Sequence, residues 1–256
     1  MKTALAVEWL KFRRASIAWV STLLAGLVTP LMAIGLVSLA RSNMLDGPSK
    51  DKFAMALLGT VGEAHLALET QILAVVMTLA GGLLAAWLFG REFVEGTIGS
   101  LFGLPTSRRD IAIAKAAIVA TWSVVTSAVA TGVTLLASWA ISPDTMTPGL
   151  LRHGAVVFGA GAITGLLGLP FGWVATVSRG YLAAFATLIG VTAASQMIAS
   201  IGWGYWVPYV ALALWAGAGG PEAAAGVEVV HLVFALVFAA VGAVVAVGAF
   251  RRTRIS

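Results

Sequence analysis

Ile17–Ala40, IAWVSTLLAGLVTPLMAIGLVSLA, runs for 24 residues without a charged side chain. An α-helix rises about 1.5 Å per residue, so a helix over this stretch would be about 36 Å long. That length is enough to cross the hydrocarbon core of a bilayer, about 30 Å thick, with some tilt. The stretch therefore predicts a transmembrane helix near the start of the chain.

A cleavable signal peptide is the alternative interpretation of this stretch. Basic residues precede it at Lys2, Lys11, Arg13 and Arg14, and Ser38-Leu39-Ala40 resembles a small-residue cleavage site. The apolar region of a signal peptide is only about 7–15 residues long, however. The length of the run favours a retained span.

The rest of the chain has the composition of a membrane protein. Of its 256 residues 59% are hydrophobic and 11% are charged, whereas soluble domains carry about a quarter charged residues. Five further apolar runs are long enough to be spans: Gln71–Phe89, Ala116–Ile141, Gly154–Val177, Tyr181–Ile201 and Val229–Phe250. No repeat or linker divides the chain, so we expect one all-α transmembrane domain over residues 1–256.

The segment between the fifth and sixth runs is too short to cross the membrane as a helix. Its apolar part, Tyr209–Gly217, follows Pro208 and precedes Gly219-Gly220-Pro221, so both ends are punctuated. We expect an external re-entrant or interfacial hairpin there rather than a seventh span. The aromatic residues around it are expected at the outer membrane interface: Trp203, Tyr205, Trp206 and Tyr209.

The basic residues predict the orientation of the six spans. If the N-terminus is cytoplasmic, the cytoplasmic segments hold the following basic residues: Lys2, Lys11, Arg13, Arg14, Arg91, Arg108, Arg109, Lys115, Arg179, Arg251, Arg252 and Arg254. The outside then keeps only Arg41, Lys50, Lys52 and Arg152. By the positive-inside rule this distribution favours two cytoplasmic termini, with the loops around Lys50 and Asp144 outside.

Several enzyme classes are disfavoured by missing motifs. The chain has no GxxxxGK[ST] phosphate-binding loop, no GxSxG and no HExxH, so we expect no catalytic residues and no ATP hydrolysis by this chain alone. It has no cysteine, which excludes disulfides and thiolate metal sites. Glu63, His65 and Glu69 share one segment, and a solvated loop is the favoured interpretation there over a metal site.

The six apolar runs contain no Asp, Glu, Lys or Arg. Proton-coupled transporters and intramembrane proteases need ionisable groups at membrane depth, so both are disfavoured. Ser195 and Gln196 are the most polar neighbouring pair within a run. They are candidates for a substrate path, with helix–helix hydrogen bonding as the alternative.

Small residues in the fourth run predict close helix packing. Gly161-x-x-x-Gly165 and Gly168-x-x-x-Gly172 are spaced to let a neighbouring backbone approach. Pro170 lies between the last two glycines, where it removes a backbone donor and favours a kink.

The segment between the second and third runs, Gly90–Lys115, reads GREFVEGTIGSLFGLPTSRRDIAIAK. The acidic and apolar side chains at its start suit a short amphipathic helix at the inner surface, which Gly103 would end. Thr106 or Ser107 would cap the next helix. An ordinary charged loop that anchors two spans is the alternative.

Residues 1–16, before the first span, suit an interfacial helix. Leu5, Trp9 and Phe12 fall on one stripe at helical spacing, while the basic side chains lie elsewhere. Such a helix lies along the membrane surface, with Trp9 at the depth of the headgroups. A charged flank that only fixes topology is the alternative.

The inner segment resembles a known family. The pattern Glu92-x-x-Glu95-Gly96-Thr97, then Leu104-Pro105-x-x-Arg108, then Lys115, is similar to the loop after the second span of ABC-2 type permeases, the six-span subunits of type-2 ABC exporters. Glu8-Trp9-x-Lys11-x-Arg13-Arg14 resembles their interfacial connecting helix, and the hairpin resembles their external re-entrant helices. The short outer loop is similar to that of compact drug, lantibiotic and bacitracin exporters.

The resemblance implies a permease subunit that exports a hydrophobic or amphipathic compound across the bacterial cytoplasmic membrane. ATP and Mg would bind two copies of a separate ATPase subunit, and this chain would bind no cofactor, metal or nucleic acid. A second copy or a close homologue would pair with it in the bilayer, near spans one and five. An autonomous channel or facilitator without an ATPase is the alternative function.

The resemblance also assigns roles to individual residues. Those implied in coupling to the ATPase are Arg91, Glu92, Phe93, Glu95, Gly96, Thr97, Pro105, Arg108 and Lys115. Those implied in the interfacial helix are Glu8, Trp9, Lys11, Phe12 and Arg14.

Overall fold

The computed structural model of the chain describes residues 1–42, 59–103 and 105–253. Six helices are long and apolar enough to cross a membrane, which confirms the predicted number: Ser16–Arg41, Val61–Val94, Arg108–Ile141, Pro148–Val177, Leu182–Trp206 and Val229–Arg252. They are spans 1 to 6 below. The N-terminal helix, Lys2–Arg14, precedes span 1, and the extended backbone of Ala15 separates the two. Leu104 of the loop pattern, and Lys50, Lys52 and Arg254 of the charge count, lie outside the described residues.

Spans 2 and 3 are longer than the apolar runs that predicted them. Span 2 begins at Val61 because Thr60 and Glu63 form a capping box, with Glu63 Oε2 accepting from the Thr60 amide at 2.7 Å. Span 3 begins at Arg108 because the Ser107 side chain accepts from the Asp110 amide at 3.0 Å, which confirms the predicted cap. Hydropathy marks only the apolar centre of a helix, whereas these caps fix its start.

Spans 2 and 4 form the centre of the bundle. In their most apolar windows 67% and 61% of residues are buried, against 17% in span 5 and 22% in span 6. The two central helices approach closely at glycines, since a Cβ on Gly81 would lie 2.5 Å from the carbonyl oxygen of Gly165. A Cβ on Gly168 would likewise collide with the backbone of Gly81. The predicted close packing of the span 4 glycines is confirmed.

Met1 and Thr253, the first and last described residues, lie at one end of the bundle, which we call the termini end. The N-terminal ammonium lies 3.2 Å from Asp110 Oδ2 at the start of span 3. Arg108 donates to the Thr253 carbonyl oxygen at 2.6 Å. The inner loop, residues 95–107, is at the same end because it joins spans 2 and 3 there. An even number of spans places both termini on one side of the membrane.

Prolines interrupt two of the spans. Span 1 contains a π-helical turn, Leu24–Val28, immediately before Pro30. Span 4 is broken between Pro148–Leu166 and Leu169–Val177, which confirms the kink predicted from Pro170. The break leaves the Leu167 carbonyl available, and the Tyr209 hydroxyl donates to it at 3.2 Å.

The opposite end of the bundle, the hairpin end, carries two short helices between spans 5 and 6. Pro208–Trp215 packs its first six residues inside the bundle, and Pro221–Ala225 follows after a turn that contains Gly217, Gly219 and Gly220 at positive φ. The first helix has eight residues, too few to cross a membrane. Insertion of this pair as a re-entrant hairpin stays a prediction.

Tyr209 does not belong to the exposed aromatic group in which the sequence placed it. Trp203 and Trp206 are exposed, but Tyr209 is buried against Phe171 and Phe238. The Tyr209 hydroxyl donates to the Leu167 carbonyl oxygen at the break in span 4, so the polar end of this side chain can be buried together with its ring.

The interpretation of Glu63, His65 and Glu69 as a solvated loop is wrong. All three residues lie in the first turns of span 2, and His65 and Glu69 are buried. His65 Nδ1 lies 2.9 Å from Ser138 Oγ of span 3, whereas the Glu69 carboxyl faces the Thr134 hydroxyl of the same span and has no ion pair with a described residue. Span 2 includes these residues because its N-terminal cap lies further upstream, at Thr60. The apolar run that predicted span 2 begins only at Gln71 and does not contain this cap.

Candidate functional site

Four charged residues meet inside the termini end: Glu8, Lys11, Glu92 and Lys115. We call them the ion cluster. Lys115 Nζ lies 2.8 Å from Glu92 Oε1 and 2.9 Å from Glu8 Oε2. Lys11 Nζ lies 2.6 Å from Glu8 Oε1 and 3.2 Å from Glu92 Oε1. The two carboxylates thus bridge the two ammonium groups, and the cluster is neutral in sum.

Lys115 is the centre of the cluster and is fully buried, with 0% of its side chain exposed. Its third donor is used as well, because Nζ donates to the Leu88 carbonyl oxygen at 2.6 Å. The Phe250 ring of span 6 lies 5.7 Å from Nζ at its centroid and covers it. An ammonium group has three donors, and all three have partners here.

Lys11 closes the cluster on its more open side, with 26% of its side chain exposed. Burial alone would lower the pKa of Lys11, but the hydrogen bonds and negative charges of Glu8 and Glu92 outweigh it and raise the pKa. Lys11 is therefore charged at neutral pH and balances the second carboxylate.

The ion cluster joins three elements that are distant in sequence. Glu8 and Lys11 come from the N-terminal helix, Glu92 from the last turn of span 2, and Lys115 from the third turn of span 3. Removing one partner of such a buried pair typically costs about 3–5 kcal/mol, because the other charge is left uncompensated. The cluster thus holds the N-terminal helix against both helices that carry the inner loop.

The structure places Glu92 and Phe93 differently from the sequence prediction, while their role in coupling stays a prediction. The sequence placed both on a surface helix that contacts a partner, but span 2 continues to Val94 and includes them. Only 2% of the Glu92 side chain is exposed, and Phe93 packs edge-on against Phe250 with centroids 6.4 Å apart. Lys115, also assigned to coupling, is inside the bundle. Glu92, Phe93 and Lys115 thus lie in the spans that flank the inner loop and not on its exposed surface.

The exposed part of the inner loop is shorter than predicted. Glu95 follows span 2, Gly96 turns the chain at φ 68°, and the described part of the loop contains the five-residue helix Ile98–Phe102. Glu95, Gly96, Thr97 and Pro105 are exposed, so the structure leaves these four of the predicted coupling residues on the surface.

The two arginines assigned to coupling have partners within the chain. Arg91 lies 3.2 Å from Glu95 Oε2 and stacks over the Trp87 ring, 4.6 Å from its centroid. Arg108 is half-buried and bound to the Thr253 carbonyl oxygen. Arg91 thus makes contacts where span 2 ends and Arg108 where span 3 begins, on the two sides of the inner loop.

The N-terminal helix has a buried face and an exposed face. Ala4, Glu8 and Phe12 are buried against the bundle, whereas Leu5, Trp9 and Arg14 are exposed. The Trp9 and Phe12 rings stack with centroids 5.6 Å apart across the boundary between the two faces. Two residues of the predicted apolar stripe, Leu5 and Trp9, thus lie on the exposed face, and the position of Trp9 at the depth of the headgroups stays a prediction.

A cavity of about 370 Å³ lies between spans 2 and 5 and the helix Pro208–Trp215. Ser195 and Gln196, the polar pair predicted for a substrate path, both line it. So do Gln71, Thr78 and Thr192, which the sequence analysis missed. The hydroxyls of Thr78, Thr192 and Ser195 donate to carbonyls of their own helices at 2.7–2.8 Å and keep lone pairs to accept. No lining residue is charged.

No group of three or more metal-binding side chains occurs in the described part of the chain. His65 and Glu69 share a helix face without a third such residue, and His65 is engaged by Ser138.

The fold and the site define a polytopic helical protein with a buried charged cluster at one end and an uncharged cavity near the other. The sequence profile of the ABC-2 family transporter proteins matches residues 4–195, from the N-terminal helix to span 5. The chain belongs to this family, and so to the membrane components of ABC transporters, which work with an ABC ATPase and have no ATPase site of their own. The comparison with curated proteins found no match.

Proposed function

We propose that the chain is the permease subunit of an exporter of hydrophobic or amphipathic compounds in the bacterial cytoplasmic membrane. The observation that carries the proposal is the inner loop of an ABC-2 family chain, exposed at its tip and fixed at its base by the ion cluster. A partner that moves this loop moves spans 2 and 3 with it.

The transmission of movement rests on the rigidity of the loop base. Glu92 and Lys115 flank the loop on its two sides and are bound to each other, and Glu8 ties both to the N-terminal helix. Glu95, Gly96, Thr97 and Pro105 are then the surface that meets the ATPase. Two conformations of the ATPase would bias two packings of spans 2 and 3.

The cavity between spans 2 and 5 supports the class of cargo. Its walls combine aliphatic side chains with the free amides of Gln71 and Gln196, and no charge is present. Such a lining offers hydrogen bonds to an uncharged polar group and apolar contact to the rest of an amphipathic molecule. Drugs, peptide antibiotics of the lantibiotic or bacitracin kind, and lipid-like molecules fit this description.

The proposed assembly pairs two copies of the chain, or the chain with a close homologue, above two ATPase subunits. Span 5 supports this arrangement, because it is the least buried of the six and exposes Leu182, Ile189 and Met197. A second copy near spans 1 and 5 would cover these side chains. The termini end is cytoplasmic in this proposal, in accord with its basic residues.

The experiment that tests the proposal is charge reversal at the exposed loop. Glu95→Lys should reduce both recovery of the ATPase with the tagged chain and ATP hydrolysis in nanodiscs, because like charges would meet across the contact. Glu222→Lys, at an exposed acidic position of the hairpin end, is the matched control and should change neither.

Two results would contradict the proposal. Equal ATPase recovery and activity for native chain and Glu95→Lys would remove the coupling role of the loop. Transport by the chain alone in vesicles, without any ATPase, would favour the alternative of an autonomous channel or facilitator.

A further inference from the structure

An apolar groove of about 870 Å³ runs along the outside of the bundle between spans 3 and 6. Leu166 and Leu169 of span 4 line it between the two helices. Six of its fourteen lining residues are alanines, at positions 116, 117 and 120 of span 3 and 239, 240 and 243 of span 6. Small side chains on two neighbouring helices do not interdigitate, so they leave an open groove on the lipid-facing side of the bundle.

Two arginines stand at one end of this groove. Arg109 begins span 3 and Arg251 ends span 6, and both line the groove at the termini end. Both side chains are exposed, and neither has a hydrogen bond or ion pair with another described residue. Asp110, next to Arg109, is occupied by the N-terminal ammonium at 3.2 Å. The end of the groove is therefore positively charged.

The length of the groove matches one leaflet of a bilayer. From Arg109 to Ala120 span 3 rises about 16 Å at 1.5 Å per residue. Half of a hydrocarbon core about 30 Å thick is about 15 Å. On span 6 the lining runs from Arg251 back to Leu236, about 22 Å, so the groove reaches from the headgroup region, where the arginines are, at least to the middle of the membrane.

We propose that the groove binds one anionic phospholipid from the leaflet at the termini end. Its phosphate lies between Arg109 and Arg251, and one acyl chain follows the alanine wall. Basic pockets between helices on the cytoplasmic side are suited to anionic headgroups, since the cations meet phosphate at the depth where it occurs.

A second copy of the chain fits this groove less well than a lipid. The exposed described carboxylate at the termini end is Glu95, and it is already paired with Arg91. Another copy would bring mainly basic residues to the two arginines, and like charges oppose such a contact. A phosphodiester supplies the missing negative charge together with the apolar chain.

Native mass spectrometry of the purified full chain tests the proposal. The chain in mild detergent is incubated with phosphatidylglycerol or with phosphatidylcholine of the same acyl chains, and the lipid retained per chain is counted. We expect phosphatidylglycerol to be retained preferentially. Arg109→Gln/Arg251→Gln should weaken its binding about 25-fold, as each cation near an anionic lipid contributes about fivefold.

Two further variants separate the groove from general surface charge. Ala117→Phe/Ala240→Phe keeps both arginines but fills the trough, and it should lose the lipid while its thermal unfolding stays unchanged. Lys2→Gln/Arg13→Gln removes two exposed cations of the N-terminal helix and should retain the lipid.

The proposal is overturned if both lipids are retained equally, or if the double Gln variant at positions 109 and 251 binds as the native chain does. If Lys2→Gln/Arg13→Gln loses phosphatidylglycerol to the same extent, the binding depends on net charge alone and the proposal is wrong. Loss of self-association or of ATPase recovery in the filled variant, with phosphatidylglycerol still bound, would make the groove a protein interface instead.

Discussion

Lys115 Nζ lies 2.8 Å from Glu92 Oε1, although the two residues are 23 positions apart and stand on opposite sides of the inner loop. The pair closes the base of the loop, and Glu8 of the N-terminal helix completes it at 2.9 Å from Lys115. The loop is therefore an extension of two joined helices, and its position follows theirs.

Removing the central cation should destabilise the protein. In Lys115→Met, two buried carboxylates share only Lys11, so we expect a loss of about 3–5 kcal/mol in unfolding free energy. The measurement is thermal unfolding of the detergent-solubilised chain, with Lys2→Met as the exposed control. Similar melting of the two variants would show that the cluster contributes nothing to stability.

Two buried glutamates of span 2 should respond in opposite ways to neutralisation. Glu92→Gln breaks contacts with two ammonium groups and should lower the melting temperature clearly. Glu69→Gln breaks no ion pair with a described residue and keeps an oxygen that can accept from the Thr134 hydroxyl, and it relieves the cost of burying a charge. We expect Glu69→Gln to melt at or above the native temperature. The prediction is wrong if Glu69→Gln lowers the melting temperature more than Glu92→Gln does.

The closest contact of spans 2 and 4 should not tolerate a methyl group. In Gly81→Ala the new Cβ would meet the Gly165 carbonyl oxygen, so the two helices must separate, at a cost of about 1–3 kcal/mol. Gly159→Ala, in span 4, is the control, because a Cβ there meets no atom within 4 Å. Comparison of their thermal unfolding checks the contact, and equal stability would argue against it.

The hydroxyl of Tyr209 should matter more than that of Tyr205. Tyr209→Phe leaves the Leu167 carbonyl at the span 4 break without its donor, which we expect to cost about 1–3 kcal/mol. Tyr205→Phe makes the same chemical change where the hydroxyl has no described hydrogen bond. If the two variants unfold alike, the break in span 4 is stabilised by other contacts.

The number and type of the helices could be predicted from the sequence because lipid requires long, uncharged, internally hydrogen-bonded segments. The helix caps at Thr60 and Ser107 and the closely packed glycines of span 4 also depend on residues that are near one another in the sequence. They could therefore be predicted as well. Local patterns do not reveal which distant residues meet. Glu8 and Lys115 are 107 positions apart, so nothing nearby in the chain distinguishes their pairing from two solvated charges.

The candidate site was predicted less well than the fold for the same reason. Glu92 was assigned to the surface because a charge in a polar loop is usually solvated, whereas its two lysine partners make burial possible. Ser195 and Gln196 could be singled out because polar residues inside an apolar run are visible in the sequence, and both line the cavity; their role in a substrate path stays a prediction. Gln71 and Thr192 were missed because only the packing of spans 2 and 5 brings them to the same cavity.

The long separation of Glu8 and Lys115 also has a consequence for how the chain is made. A ribosome adds about 5–20 residues per second, so the 107 positions between them take roughly 5–20 seconds to synthesise. Throughout that interval the carboxylate of Glu8 has no Lys115 to bind. Because Lys115 is made later, the N-terminal helix can bind at its final position only after the start of span 3 has been synthesised. Assembly of the ion cluster is therefore a late step relative to the synthesis of the N-terminal helix and of spans 1 and 2.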